Sequence, residues 1–151
     1  MYSLDLYTDR PSWDNTWMQV AKTVAQRSLC TAMRVGAVIV DGGNRIMATG
    51  YNGPPAGFPN HYCPREHSKD HRKDFSDCIA NHAEANALLY SDRTLREGGT
   101  IYITAEPCHY CAKLIASSGL ARVVAIPDQD RGALQIIRES GLKVDLYKGD
   151  I

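Results

Sequence analysis

Val35-Gly36-Ala37-Val38-Ile39-Val40 is followed by Asp41-Gly42-Gly43-Asn44 and then by Arg45-Ile46-Met47-Ala48-Thr49-Gly50-Tyr51. The first run is β-branched and apolar, the next four residues are turn formers, and the third run is strand-like again. Together they predict a β-hairpin. Upstream, Trp13, Trp17, Val20, Ala21, Val24 and Leu29 recur at helical spacing behind a capping Ser12, so an amphipathic helix precedes the hairpin and needs a sheet to cover. Downstream, residues 100–104, 122–126 and 143–146 read as strands. A helix over 108–118 that Gly119 stops, and one over about 131–140 that Gly141 closes, lie between them. A helical stretch of alanines and leucines from His82 to about Tyr90 completes the order α-β-β-α-β-α-β-α-β. Helices alternating with strands after an opening hairpin predict an α/β fold with a mixed five-stranded sheet. Its later strands are apolar along their length, so both faces should be covered.

The chain has 151 residues, 44% hydrophobic and 23% charged, which suits one globular domain over 1–151. Seventeen basic residues balance seventeen acidic ones, so no global positive field draws the protein to a nucleic acid or an anionic membrane. A small phosphate needs only a few donors and stays compatible with that balance. No apolar run reaches bilayer length, and Met1 to Arg10 has no secretory pattern, so a cytoplasmic location is expected. Residues 53–79 carry Pro54, Pro55, Gly57, Pro59 and Pro64 with no clear period. A loop of that length should be functional or pinned.

The chemistry concentrates in two short motifs. His82-Ala83-Glu84 opens one helical stretch, and Pro107-Cys108-His109-Tyr110-Cys111 follows a strand and opens another. Cys108 and Cys111, at i and i+3, point the same way on a helix and can share one Zn²⁺ with His82. Three protein ligands leave a fourth position open. Glu84 beside the metal is the candidate catalytic proton shuttle, free to change protonation state because it is not a ligand. Cys-x-x-Cys alone would also suit a redox pair or half of a zinc finger. Neither of those needs the His-Ala-Glu partner.

The two motifs in this order are the signature of zinc-dependent nucleobase deaminases. With Arg34-Val35-Gly36-Ala37-Val38-Ile39-Val40, Gly50-Tyr51-Asn52-Gly53-Pro54 and Pro107 to Ile115, the chain resembles the deoxycytidylate (dCMP) deaminases of the cytidine deaminase superfamily over about residues 16–147. The resemblance implies a three-layer α/β/α fold, hydrolysis of dCMP to dUMP and ammonia, and a homo-oligomer, commonly a hexamer. It also implies control by dCTP and dTTP, with Gly53 and Pro54 on the effector side.

On the same resemblance Asn52 and Ala83 are expected to contact the substrate, Asn52 alternatively serving turn geometry beside Gly53. Arg34 is placed to receive a phosphate or to be a solvated charge. A second, structural zinc would draw on Cys30, Cys63 and Cys78, with His71 or alternatively His67 or His61. These cysteines could equally be small apolar residues. Relatives place an aromatic residue where this chain reads Ile126-Pro127-Asp128-Gln129-Asp130-Arg131, so a 5-substituted dCMP or dCTP is the alternative substrate. A nucleic-acid-editing deaminase and a purely structural zinc module use the same ligands. The first would want a basic groove with stacking aromatics and the second a fourth protein ligand.

Overall fold

The computed structural model describes residues 9–58, 78–129 and 131–149. Helix α1 (Trp13–Ala25) leads into the hairpin of β1 (Gly36–Val40) and β2 (Ile46–Tyr51). Then come α2 (Ala83–Tyr90), α3 (Arg93–Arg96), β3 (Thr100–Ile103), α4 (His109–Ala116), β4 (Arg122–Ala125), α5 (Ala133–Glu139) and β5 (Lys143–Leu146). The strands form one mixed sheet in the order β2-β1-β3-β4-β5, antiparallel from β2 to β3 and parallel from β3 to β5.

The alternation along β1 builds two cores. Ala37 and Ile39 face one way and pack with Ala83 and Ala87 of α2, Ile115 of α4 and Ile137 of α5. Val38 and Val40 face the other way, onto Met18 and Ala21 of α1. Every residue of β1 is buried, which is why its sequence is uniformly apolar. The result is the expected α/β/α sandwich; among the described residues α1 packs on one face and α2, α4 and α5 on the other.

Two glycines set how closely the helices approach. A Cβ on Gly36 would lie 2.0 Å from the Ala21 carbonyl oxygen of α1, and one on Gly50 would lie 2.3 Å from the Ala83 carbonyl oxygen of α2. The hairpin turn forms as expected. Asp41 Oδ1 accepts from the amides of Gly43 and Arg45, and Asn44 takes the left-handed conformation asparagine tolerates.

Two expectations need correction. Helix α1 starts at the predicted cap, where Ser12 accepts from Asn15 N, but it ends at Ala25, and Leu29 is exposed. Buried Ser28 turns the chain away: its hydroxyl donates to the Asn52 carbonyl and accepts from Cys30 N. The four-residue α3 was not anticipated, because one turn is too short to show a period. Asp92 caps it by accepting from Leu95 N.

Helix α3 has a clear job. Arg96 donates to the carbonyls of Leu88, Ser91 and Ser118, and Arg93 donates to that of Ser117. These carbonyls end α2 and α4, so the two arginines cap both helices at once. On the opposite face, Asp14 of α1 accepts from Arg122 Nη1 and Nη2 at 2.8 and 2.7 Å and from the Tyr102 hydroxyl at 2.7 Å. Arg122 Nε continues to Asp145 at 2.8 Å, tying α1 to β3, β4 and β5.

Candidate metal centre and catalytic cavity

His82 is the N-cap of α2 and Cys108 the N-cap of α4, so both stand where a helix presents unpaired amides. The capping role refines the expected geometry. Cys108 lies just outside the helix, and its sulfur accepts from Cys111 N at 3.5 Å, which brings the two thiols to one side. The approach to α2 is fastened to the sheet edge. Gly53 and Asn81 exchange backbone hydrogen bonds of 3.1 and 2.8 Å, and Asn86 Nδ2 donates to the Tyr51 carbonyl.

Nδ1 of His82 lies 3.5 Å from both the Cys108 and the Cys111 sulfur. A tetrahedral zinc about 2.0–2.1 Å from nitrogen and about 2.3 Å from sulfur separates those atoms by roughly 3.5 Å, so the three side chains fit the metal. Among the described residues they are the one group of three or more such donors gathered closely enough to hold an ion.

The charges point the same way. The neighbouring Cys111 thiol, helped by His82 and the Cys111 amide, holds the Cys108 thiol far below the usual range, at about 3. The Cys111 thiol is pushed up, first by Cys108, then by burial and by the charge of Glu84. As ligands both cysteines would be thiolates, and a bound cation would supply the positive charge that lets Cys111 ionise beside Cys108 and Glu84.

Glu84, in the first turn of α2, is buried, with only 4% of its surface exposed. Burial raises its pKa above the ordinary carboxylate value, against the opposing pull of the Cys111 thiol and the charge of His82. The pKa of His82 is raised chiefly by Cys108, while the charge of Arg131 lowers it.

These groups stand at a cavity of about 280 Å³, close to the lower end of the range for small-molecule sites, roughly 300 Å³. Val35, Asn52 and Ala83 line it beside Glu84, and Glu106 and Arg131 line it from the loops after β3 and β4. Asn52 Oδ1 accepts from Val35 N, and its Nδ2 donates to the Met33 carbonyl, both at 2.8 Å. Its carboxamide therefore shapes the approach to β1, and among the described residues one N–H and one lone pair have no further partner.

The other predicted site residues are more dispersed. Arg34 is exposed and lies outside the cavity lining, as do buried Gly53 and half-buried Pro54. Cys30 and Cys78 both line the cavity. Cys63, His61, His67 and His71 lie outside the described residues.

Sequence reasoning missed Glu106 and Arg131 as wall residues. Glu106 Oε2 accepts from Asp128 N at 2.8 Å, Arg131 Nη1 donates to the Glu106 carbonyl at 3.0 Å, and His109 Nε2 meets the Arg131 carbonyl at 2.6 Å. The one signal was the departure of residues 126–131 from the expected aromatic pattern.

A family model for the zinc-binding region of cytidine and deoxycytidylate deaminases matches residues 11–126. The deoxycytidylate deaminase of Mycobacterium phage D29 is 48% identical over 122 residues, covering 76% of this chain and 94% of its own length. That of Schizosaccharomyces pombe is 37% identical over 145 residues, 91% of this chain but 45% of its own length. Among solved structures, the dCMP deaminase of cyanophage S-TIM5 in apo form superposes with a TM-score of 0.74 at 29% identity, over 91% of this chain and 99% of that one. In complex with dCMP and dUMP the same enzyme gives 0.73 at 25% identity, over 97% and 100%.

Proposed function

The chain belongs to the cytidine and deoxycytidylate deaminase family, and from that premise we propose that it is a zinc-dependent deoxycytidylate deaminase, hydrolysing dCMP to dUMP and ammonia. The observation that carries the reading is the His82 ring nitrogen 3.5 Å from two cysteine sulfurs, beside buried Glu84 at the wall of a cavity of about 280 Å³.

His82, Cys108 and Cys111 would hold the zinc, which when bound supplies a Lewis acid that makes water nucleophilic near neutral pH. The other steps fall to side chains. Glu84 takes a proton from the attacking water as its oxygen bonds to C4 of the ring, and delivers it to N3. The second water proton follows the same route to the amino nitrogen, which leaves as ammonia while C4 becomes a carbonyl. The raised pKa of Glu84 suits a group that must accept and give protons in turn. Ala83 and Asn52 line the cavity where the nucleoside would lie, and the uncommitted polar capacity of Asn52 faces that role.

The proposal extends to a second, structural zinc on Cys30 and Cys78 together with Cys63 and His71. It includes a cytoplasmic homo-oligomer, hexameric by family habit, that dCTP activates and dTTP inhibits, with Gly53 and Pro54 near the effector. Among the described residues no helix is long and apolar enough to cross a membrane.

The test is ammonia release from dCMP, 5-methyl-dCMP, dCTP, deoxycytidine, CMP and single-stranded DNA, with zinc analysis of the same preparation. Selective release from dCMP is expected, with two zinc ions per chain. Preference for dCTP or a 5-substituted dCMP would move the substrate and keep the chemistry, and a single zinc would remove the second site. Repeating the dCMP assay with dCTP or dTTP added tests the effectors.

A further inference from the structure

We propose that Arg131 is the residue by which this site selects a 5′-monophosphate over the bare nucleoside, an inference that rests on the deaminase reading above. A cytosine whose C4 faces Glu84 carries its 5′-phosphate toward a different part of the cavity wall, and that dianion needs a cation. Arg131 is the one arginine or lysine among the described residues that line the cavity.

The bonding of its guanidinium suits the task. Its short hydrogen bond, Nη1 to the Glu106 carbonyl at 3.0 Å, goes to a neutral acceptor that orients the group without cancelling its charge. Its ion pair with Asp128 is stretched to 3.4 Å, well beyond the roughly 2.7–2.9 Å of a firm charge-assisted bond. Among the described residues the Glu106 carboxylate makes no ion pair with Arg131, and its Oε2 accepts from the amide of Asp128 at 2.8 Å.

Arg122 shows the contrast. Its guanidinium is held at 2.7–2.8 Å by Asp14 and at 2.8 Å by Asp145, so its charge is already matched by two carboxylates. Arg131 keeps Nη2 in a weak contact that a phosphate oxygen can replace, and its side chain is 34% exposed, open enough for an incoming anion.

The Arg131 backbone is positioned as well. Its carbonyl is bonded to the ring of His109, the residue after Cys108, so the loop that carries the cation is tied to the first residue of α4. Sequence reasoning offered Arg34 as a phosphate contact or a solvated charge, and Arg34 is exposed and outside the cavity lining.

The test compares Arg131→Ala, Arg131→Lys and Arg34→Ala with the wild-type enzyme. The readouts are kcat/KM for dCMP and deoxycytidine, and dUMP and deoxyuridine affinity by calorimetry. Arg131→Ala should lower the monophosphate-to-nucleoside ratio roughly 10- to 100-fold in both. Arg131→Lys, keeping the charge but not the planar fork, should recover part of it, and Arg34→Ala should leave the ratio near wild type. The inference is overturned if Arg131→Ala keeps the wild-type ratio, if it weakens both members of each pair equally, or if Arg34→Ala carries the loss. Ammonia from neither substrate with the zinc-loaded wild type would instead sink the deaminase reading, and the dUMP to deoxyuridine ratio would still decide the role of Arg131.

Discussion

Glu84 owes its usefulness to a conflict between its surroundings. Burial favours the neutral acid, while the Cys111 thiol and the charge of His82 favour the carboxylate. Glu84→Gln keeps the shape and removes the proton traffic, so turnover should fall by at least roughly 10²- to 10⁴-fold. Zinc content should stay at the wild-type value, since glutamine disturbs none of the three ligands, and steady-state ammonia release with metal analysis checks both. Retained turnover would take Glu84 off the proton path. The candidate ligands and Glu84 stood out in the sequence because metal binding and proton transfer each allow few residue types at fixed spacing, and the fold brings His82, Cys108 and Cys111 together. Arg131 was not legible in the same way. Its role depends on which carboxylates are already engaged, and that is settled by the fold, through Glu106 facing an amide and Asp128 standing 3.4 Å away.

At the level of elements, the strands and most helices could be read from the chain because burial patterns repeat within each segment. The all-apolar run of β1 announced a strand covered on both sides, and Ser12 announced the start of α1. The end of α1 escaped because Ser28 bonds to Asn52, a partner 24 residues away. Helix α3 escaped because its purpose lies in carbonyls of two other helices. The glycines of the hairpin carried a message visible only in three dimensions. Gly50→Ala would place a methyl group 2.3 Å from one backbone atom of α2 and 2.6 Å from another, forcing the helix that bears His82 and Glu84 off the sheet. Its cost should be about 1–3 kcal/mol, read from the urea midpoint, with a matching fall in zinc affinity. Gly36→Ala strains α1 on the opposite face and should destabilise comparably with a smaller change in zinc affinity. Equal metal loss in the two variants would contradict this division.

Among the described residues, the sheet carries the candidate site on one face and its largest ion-pair network on the other. Asp14, Tyr102, Arg122 and Asp145 join helix α1 to three strands. Arg122 is the chief reason the Asp14 carboxyl titrates below its ordinary value of 3.8. A carboxylate whose pKa is lowered on folding stabilises the protein above its unfolded pKa, and that contribution fades as pH falls through the lower folded one. Asp14→Asn should therefore cost on the order of 1–2 kcal/mol near pH 7, a figure reduced for partial solvent screening. The gap from wild type in urea midpoint should narrow below about pH 3.8. A gap that stays constant down to pH 2 would show that the charge of Asp14 is not what matters. The arginines of α3 have a different consequence. They fasten the far ends of α2 and α4 with bonds that involve none of the proposed metal ligands, so the two helices should stay docked whether or not an ion is present. Metal capture then resembles closing a latch on a door already hung. Amide hydrogen exchange should show it: on chelation, protection should drop around His82 and Cys111 and persist around Ser91 and Ser118.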